Sequence, residues 1–127
     1  IDLCYRRTKE NLKRFAAALR EINPTLRNAP PDLPFIIDEQ SLALGNNFTF
    51  DTPFGPVDFL GYLEPIGDFD AIAKRAFTAR VGNCELRVIH LDDLIAIKQH
   101  IRRPKDQQSL FQLLAIKKVL SEKAFDE

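Results

Sequence analysis

Apolar residues recur along the chain with two different periods, and each period predicts one kind of element. In residues 9–22 the apolar positions that share one helical stripe are Leu12, Phe15, Ala16, Leu19 and Ile22. That stripe predicts an amphipathic helix, with Thr8 as its N-cap and Asn23-Pro24 at its end. Residues 1–5 alternate weakly and are rich in strand formers, so we predict a strand there.

The middle of the chain predicts a loop, a short helical turn and a hairpin. Prolines are dense in residues 23–36, which excludes a helix or a central strand, so we predict a loop. Asp38 and Gly45 bracket a short helical turn. Residues 47–52 and 56–62 are strand-forming segments on either side of a turn, which predicts a hairpin.

The remaining elements complete a mixed architecture. They are a short helix over residues 68–76, a hairpin over 77–89, a helix over 92–102 and a helix from Pro104 to about residue 121. The order predicts one α+β domain over residues 1–127, with helices packed on a small mixed or mostly antiparallel sheet.

Composition and charge narrow the function classes. The 18 basic and 18 acidic residues balance to a net charge of zero, which gives no support to non-specific nucleic-acid binding. Arg6, Arg7, Lys9, Lys13 and Arg14 crowd the start of the chain and are interpreted as a solvated helix face. No apolar run approaches the ~20 residues of a membrane helix and no secretory signal is present, so we expect a cytoplasmic protein.

Cysteine and histidine offer little chemistry. Cys4 and Cys84 fall on predicted strands, where we expect small buried hydrophobic residues rather than a disulfide. His90 and His100 lack the Cys/His spacing of a zinc site. The chain has no P-loop, no dinucleotide-binding fingerprint and no nucleophile elbow.

Two acids interrupt predicted strands. Asp2 lies between Ile1 and Leu3, and Asp58 lies between Val57 and Phe59. A carboxylate on a core strand is costly unless it is paired or binds a cation. Acids on adjacent strands suit Mg²⁺, which prefers oxygen ligands and phosphate. The alternative is that each acid lies at a strand end in solvent.

Lys98 and the segment after it are a second candidate site. Lys98 falls near the middle of the stripe formed by Leu91, Leu94, Ile95 and Ile101, so it faces a carboxylate, a phosphate or a route to solvent. Asp106 takes the third helical position, where an acid interacts favourably with the positive end of the helix dipole. It also shares a face with Leu110 and Leu113, which would turn it inward. Arg103 and Lys105 either pair with Asp106 or contact phosphates.

Together these segments resemble a known superfamily. IDLCYRR, NFTF, GPVDFLGY, LDDLIAIK and RRPKD occur in an order similar to the nucleotidyltransferases of the DNA polymerase β-like fold. The resemblance spans nearly the whole chain and is closest to bacterial minimal members and antibiotic- or toxin-type members, including the AbiEii-like group. It implies a transferase that moves a nucleotidyl group from an NTP to a hydroxyl on a small molecule, a protein or an RNA end.

The resemblance also implies site residues. It assigns Asp2 and Asp58 as ligands of Mg²⁺, with two ions in a complete site, and Lys98, Arg103 and Lys105 as contacts to the nucleotide. Asp2, Asp58, Lys98 and Asp106 are the implied catalytic set. The first acid of the family's pair, with the Gly-Ser turn before it, would precede Ile1. We therefore expect the chain to be N-terminally incomplete or an inactive truncation.

Three hypotheses stay open. The first is a metal-dependent nucleotidyltransferase domain. The second is an inactive domain of the same fold that acts by protein interaction, with a homodimer as one form of it. An apolar patch around Phe54 or Phe125 would be evidence for this hypothesis. The third is an unrelated α+β domain, and it requires Asp2 and Asp58 to lie far apart.

Overall fold

The structure is a computed structural model that describes residues 1–30, 35–101 and 103–126, with side chains up to residue 122 at the C-terminal end. Pro31 and Pro34 of the predicted loop, Arg102 of RRPKD and the side chain of Phe125 lie outside the described residues. The chain divides into two compact units, Ile1–Tyr62 and Leu63–Glu127, where the sequence predicted a single domain. Each unit is described by itself.

Unit 1 is a four-stranded mixed sheet with two helices. Its elements are β1 (Asp2–Cys4), α1 (Lys9–Ile22), β2 (Thr25–Leu26), α2 (Glu39–Ala43), β3 (Asn47–Thr52) and β4 (Gly55–Leu60). The strand order is β1-β4-β3-β2. Strand β1 pairs with β4 in parallel, and the other two pairings are antiparallel. The α+β class and the small mixed sheet are therefore confirmed.

Helix α1 begins and ends as the sequence predicts. The Thr8 hydroxyl accepts a hydrogen bond from the amide of Asn11 and caps the helix, which relieves one of the unpaired amides of the first turn. Asn23 ends the helix in the left-handed conformation, with φ of 50°. The basic residues predicted to lie in solvent on this helix and before it are exposed.

The core of unit 1 lies on one face of the sheet. Its buried members are Tyr5, Leu12, Phe15, Ala16, Leu19, Leu42, Phe50 and Phe59. The ring of Phe59 lies 4.7 Å from that of Phe15 on α1 and 6.0 Å from that of Phe50 on β3, between ring centroids. Because strand side chains alternate between faces, residues 49 and 58 belong to the opposite face. We call that side of the sheet the open face.

Strand β2 corrects the predicted loop over residues 23–36. Thr25 and Leu26 pair with Asp51 and Phe50 at the edge of the sheet. The density of prolines excluded a central strand, but it does not exclude an edge strand, which pairs on one side only. Thr25–Leu26 contains no proline and forms such a strand.

Unit 2 is built from small sheets and longer helices. Its elements are β5 (Tyr62–Leu63, which begins on the last residue of unit 1), β6 (Gly67–Asp68), α3 (Phe69–Ala73), β7 (Phe77–Val81), β8 (Cys84–Val88), α4 (Leu91–His100) and α5 (Pro104–Asp126). Strands β5 and β6 pair with each other, as do β7 and β8. The sequence did not predict β5 or β6. The predicted α3 is longer than the observed helix, and the predicted α5 ends before the observed end at Asp126.

The β7–β8 hairpin is confirmed, and its turn explains its register. The two-residue turn places Gly82 at φ of 62°, a conformation that glycine adopts without steric cost. Val81 then faces Cys84, and Phe77 faces Val88. Cys84 is exposed, which corrects the expectation of a buried residue, while Cys4 in β1 is half-buried; neither forms a disulfide.

Within the described residues, no helix is long and apolar enough to cross a membrane.

The aromatic core of unit 1 predicts a large difference between two phenylalanine variants. Phe50 is fully buried, so Phe50→Ala should lower the free energy of unfolding by about 3–5 kcal/mol. Phe54 is 87% exposed, so Phe54→Ala should change it by less than about 0.5 kcal/mol. The chain has no tryptophan and two tyrosines, Tyr5 and Tyr62, so tyrosine fluorescence during urea unfolding follows unit 1. Equal losses in both variants would contradict the assignment of the core face.

Candidate functional site

The two predicted strand acids lie side by side in the sheet. Asp2 is the register partner of Asp58 in the parallel pairing of β1 with β4. Register partners on adjacent strands lie ~4.8 Å apart and point to the same face. The hydrogen bond from the amide of Asp58 to the carbonyl of Ile1, at 2.9 Å, fixes this register. The third hypothesis required the acids to be far apart, and this requirement is not met.

The acids belong to a line of polar residues that crosses the open face. Thr49 on β3 is the register partner of Asp58. Beyond it, the amide of Arg27 donates to the carbonyl of Thr49 at 3.0 Å. We call Asp2, Asp58, Thr49 and Arg27 the polar row. It runs across the strands at one level of the sheet, on the face opposite the phenylalanine core.

Arg27 is a residue of the candidate site that the sequence did not predict. Its Nη2 lies 3.0 Å from Oδ1 of Asp58, and its Nε donates to Oδ1 of Asp51 at 3.2 Å. Partial burial lowers the pKa of Arg27, but the two carboxylates outweigh it and the net pKa is raised. Only the pairing of β2 with β3 brings Arg27 to the acids, and no local pattern signals that pairing.

Oδ1 of Asp58 is, with Oε2 of Glu39 and Oδ2 of Asp93, one of the shielded carboxylate oxygens of the described residues that have no hydrogen-bond partner. The atom is shielded from solvent, and no group in the described part of the chain donates to it with hydrogen-bond geometry. The contact with Arg27 is therefore an electrostatic one, made at 3.0 Å without a well-aligned hydrogen bond. The Asp58 side chain as a whole is 31% exposed, so its carboxylate is accessible from the open face.

In unit 2 the structure joins Lys98 with Asp106. Lys98 Nζ donates to Oδ1 of Asp106 at 2.9 Å, and Arg103 Nε donates to Oδ2 at 2.7 Å. Asp106 is fully buried, whereas Lys98 is 20% exposed. The predicted inward orientation of both residues is confirmed. Lys105 is exposed and is not among the cations paired with Asp106.

We call Lys98, Arg103 and Asp106 the triad. It favours the charged form of Asp106 and links two helices. The hydrogen bond from Lys98, and then that from Arg103, lower the pKa of Asp106 below its ordinary value despite burial. Lys98 belongs to α4 and Asp106 to α5, so the ion pair joins the two helices across the short connection between them. Of the predicted stripe, Ile95 is buried and Leu91, Leu94 and Ile101 are half-buried, while the other buried positions of α4 are Asp93 and Ile97.

A second ion-pair cluster at the start of α4 was also missed. Arg75 Nη1 lies 3.2 Å from Oδ1 of buried Asp93, and Lys117 Nζ lies 2.7 Å from Oδ1 of Asp92. The bond from Lys117 lowers the pKa of Asp92. His90 caps the helix by accepting the amide hydrogen of Asp92 on Nδ1. The sequence signalled only the acids at the helix start, and their partners come from distant positions.

In the part of the chain that the structure describes, protein side chains alone form no metal site. Within residues 1–30, 35–101 and 103–126, no group of three or more His, Cys, Asp or Glu side chains is placed to hold a metal ion. The polar row contributes two acids, Asp2 and Asp58, and the triad contributes one that is already paired.

Comparisons of the chain with protein-family models, with curated proteins and with solved structures find no match.

The triad predicts a stability loss that depends on pH. Asp106→Asn removes the charge that balances Lys98 and Arg103, so unfolding near neutral pH should become easier by on the order of 3 kcal/mol. Because the folded pKa of Asp106 is lowered, its contribution is full above the unfolded value of about 3.9 and is lost as pH falls through the folded value. The variant should therefore show a weaker acid dependence of stability.

The measurement is a urea titration that follows the amide resonances of α4, at neutral and acidic pH. Glu122→Gln is the matched control, because it removes an exposed acid from α5, the helix of Asp106. We expect it to change the free energy of unfolding by less than about 0.5 kcal/mol. If Asp106→Asn matched this control at every pH, the triad would have no role in stability.

Proposed function

We propose that the chain is a metal-dependent nucleotidyltransferase domain, which binds a nucleoside triphosphate with Mg²⁺ and transfers its nucleotidyl group to a hydroxyl acceptor. The observation that supports this most strongly is the register of β1 with β4, which sets Asp2 beside Asp58 on the open face. Like charges on neighbouring strands repel, and a cation held by both acids would offset that cost.

The residues of the polar row fit a divalent cation. Oδ1 of Asp58 is a shielded carboxylate oxygen without an aligned donor, and the neighbouring Asp2 is exposed. A hard cation takes such oxygens and completes its shell with water and phosphate oxygens. Asp2 and Asp58 would hold the ion. When bound, it would supply positive charge to the triphosphate and activate the acceptor hydroxyl.

The fold supplies rigid positions for these two acids. Strand β4 is central in the sheet, and Phe59, the residue next to Asp58, is packed between α1 and β3. A carboxylate on such a strand keeps its place when a ligand binds. Nucleotidyl transfer depends mainly on positioning and charge neutralisation, so this rigidity suits it.

Unit 2, taken by itself, carries an excess of positive charge around Asp106, which suits an anionic group such as a phosphate. Lys98 and Arg103 carry two positive charges against the single negative charge of Asp106, which leaves an excess of one. Arg103 is 68% exposed and bonds Asp106 through Nε, so its fork of terminal nitrogens takes no part in that bond. Lys105 adds an exposed charge on the same turn. In the proposal, Asp106 positions Lys98 and Arg103.

One observation favours the alternative function, an inactive domain of the same fold that binds a protein partner. Phe54 is 87% exposed at the tip of the β3–β4 turn, where a large apolar side chain gains nothing from the fold of the chain itself.

Nucleotide binding tests the proposal. Calorimetric titration of the full-length protein with each common nucleoside triphosphate should give binding that requires Mg²⁺ and disappears with a chelator. Asp58→Asn should weaken it by more than roughly tenfold, because the variant loses a charged ligand of the cation.

Glu21→Gln is the control, since it removes an exposed acid on α1, the helix that covers the other face of the sheet. If no nucleoside triphosphate bound in the presence of Mg²⁺, the transferase would be excluded and the interaction module preferred.

A further inference from the structure

Arg27 places a permanent positive charge at one of the two proposed metal ligands. Its Nη2 lies 3.0 Å from Oδ1 of Asp58, the oxygen that no aligned donor satisfies. A Mg²⁺ ion bound to a carboxylate oxygen sits ~2.1 Å from it. Whichever oxygen of Asp58 holds the cation, the cation and the guanidinium would lie within a few Å of each other, so their positive charges repel and they compete for the charge of Asp58.

Arg27 is also anchored independently of Asp58. Its Nη2 donates to the carbonyl of Phe50 at 2.9 Å, and its Nε donates to Asp51 at 3.2 Å. The side chain is 28% exposed, so most of it is packed on the sheet. Loss of the contact with Asp58 would leave these two anchors in place, and the guanidinium would stay on the open face.

The sequence surroundings of Arg27 support a specific role rather than a general effect of charge. The basic residues of the first helix and of the segment before it lie on exposed positions. Arg27 instead follows the edge strand β2 and lies in the polar row, at the level of Asp58 and Asp2. Its charge acts on the acid pair at short range, where screening by salt is weak.

We propose that Arg27 is a built-in counter-ion that competes with the divalent cation for Asp58 and so sets the affinity of the acid pair for that cation. The inference rests on the proposed function, because it takes Asp2 and Asp58 as the cation ligands. In the free protein Arg27 balances the charge of Asp58. A bound cation takes over that charge balance, and the anchors at Asp51 and Phe50 keep the guanidinium on the open face, where it attracts an anionic group such as a phosphate.

Manganese titration followed by NMR tests this competition without any measurement of activity. Added Mn²⁺ broadens the amide resonances near its binding site, and the protein of 14.5 kDa is small enough for residue-level spectra. In the wild-type chain, amides of β1 and β4 should broaden first. Arg27→Met should reach half-broadening at a Mn²⁺ concentration at least roughly fivefold below that of the wild-type chain, because a unit charge at this distance is removed.

Matched variants separate the competition from other effects. Arg27→Lys keeps the charge and should stay near the wild-type concentration, whereas Arg27→Gln, a second neutral variant, should behave like Arg27→Met. Arg14→Met removes an exposed arginine from α1, on the other side of the sheet, and should leave the titration unchanged. Asp58→Asn should abolish the broadening of β1 and β4.

The outcomes distinguish this inference from the proposed function. Broadening that Asp58→Asn abolishes but neither neutral variant of Arg27 strengthens would overturn the competition and leave the metal site standing. Broadening that appears only in the neutral variants would support the competition. If β1 and β4 stayed sharp in every variant, the metal site would be wrong, and the role of Arg27 would fall with it.

Discussion

The packing of Phe59 between Phe15 and Phe50 is the constraint on which the rest of unit 1 depends. Strand side chains alternate, so a strand that buries Phe59 must present Asp58 to the opposite face. The parallel pairing of β1 then places Asp2 beside it, with no further requirement. The polar row is thus a consequence of hydrophobic burial on the other side of the sheet. A shift of the register by one residue would expose the phenylalanine and bury the acid.

Three aspartates show how the surroundings of a carboxylate decide what it can do. Asp106 is fully buried and bonded to two cations, so it holds helices together and has no oxygen left for a ligand. Asp93 is buried and has one cationic partner, Arg75. Asp58 is partly exposed, and the partner of its shielded oxygen lies close without an aligned hydrogen bond. Of these three, Asp58 is the one whose environment suits an exchangeable partner.

Local signals predicted the elements that form from neighbouring residues. The stripe and caps of α1, the cap at Asp38 and both hairpins follow from short-range physics, and the structure has them. The same reasoning placed Lys98 near the middle of the apolar stripe of α4, yet it left open whether the side chain meets a carboxylate, a phosphate or a route to solvent. The connection to Asp106 resolves this, because the turn between α4 and α5 brings position 106 to position 98. Sequence spacing alone does not specify that turn.

Interactions that depend on distant pairing escaped prediction. Strand β2 consists of Thr25 and Leu26, too short for a pattern, and it forms because β3 offers it an edge. Arg27 reaches the acids only through that pairing, so its role has no local signature. Arg75 and Asp93 are separated along the chain in the same way. The two acids were predictable because each stands out among apolar neighbours, whereas an arginine in a polar loop does not.

The separation of the two sheet faces has an evolutionary consequence. Structural and chemical roles fall on alternate residues of the same strands, so selection can act on one set without disturbing the other. Replacing Asp2 or Thr49 changes the open face while the phenylalanine core stays intact. A lineage of this domain can therefore vary the polar side chains of the open face in few steps and still inherit a folded protein.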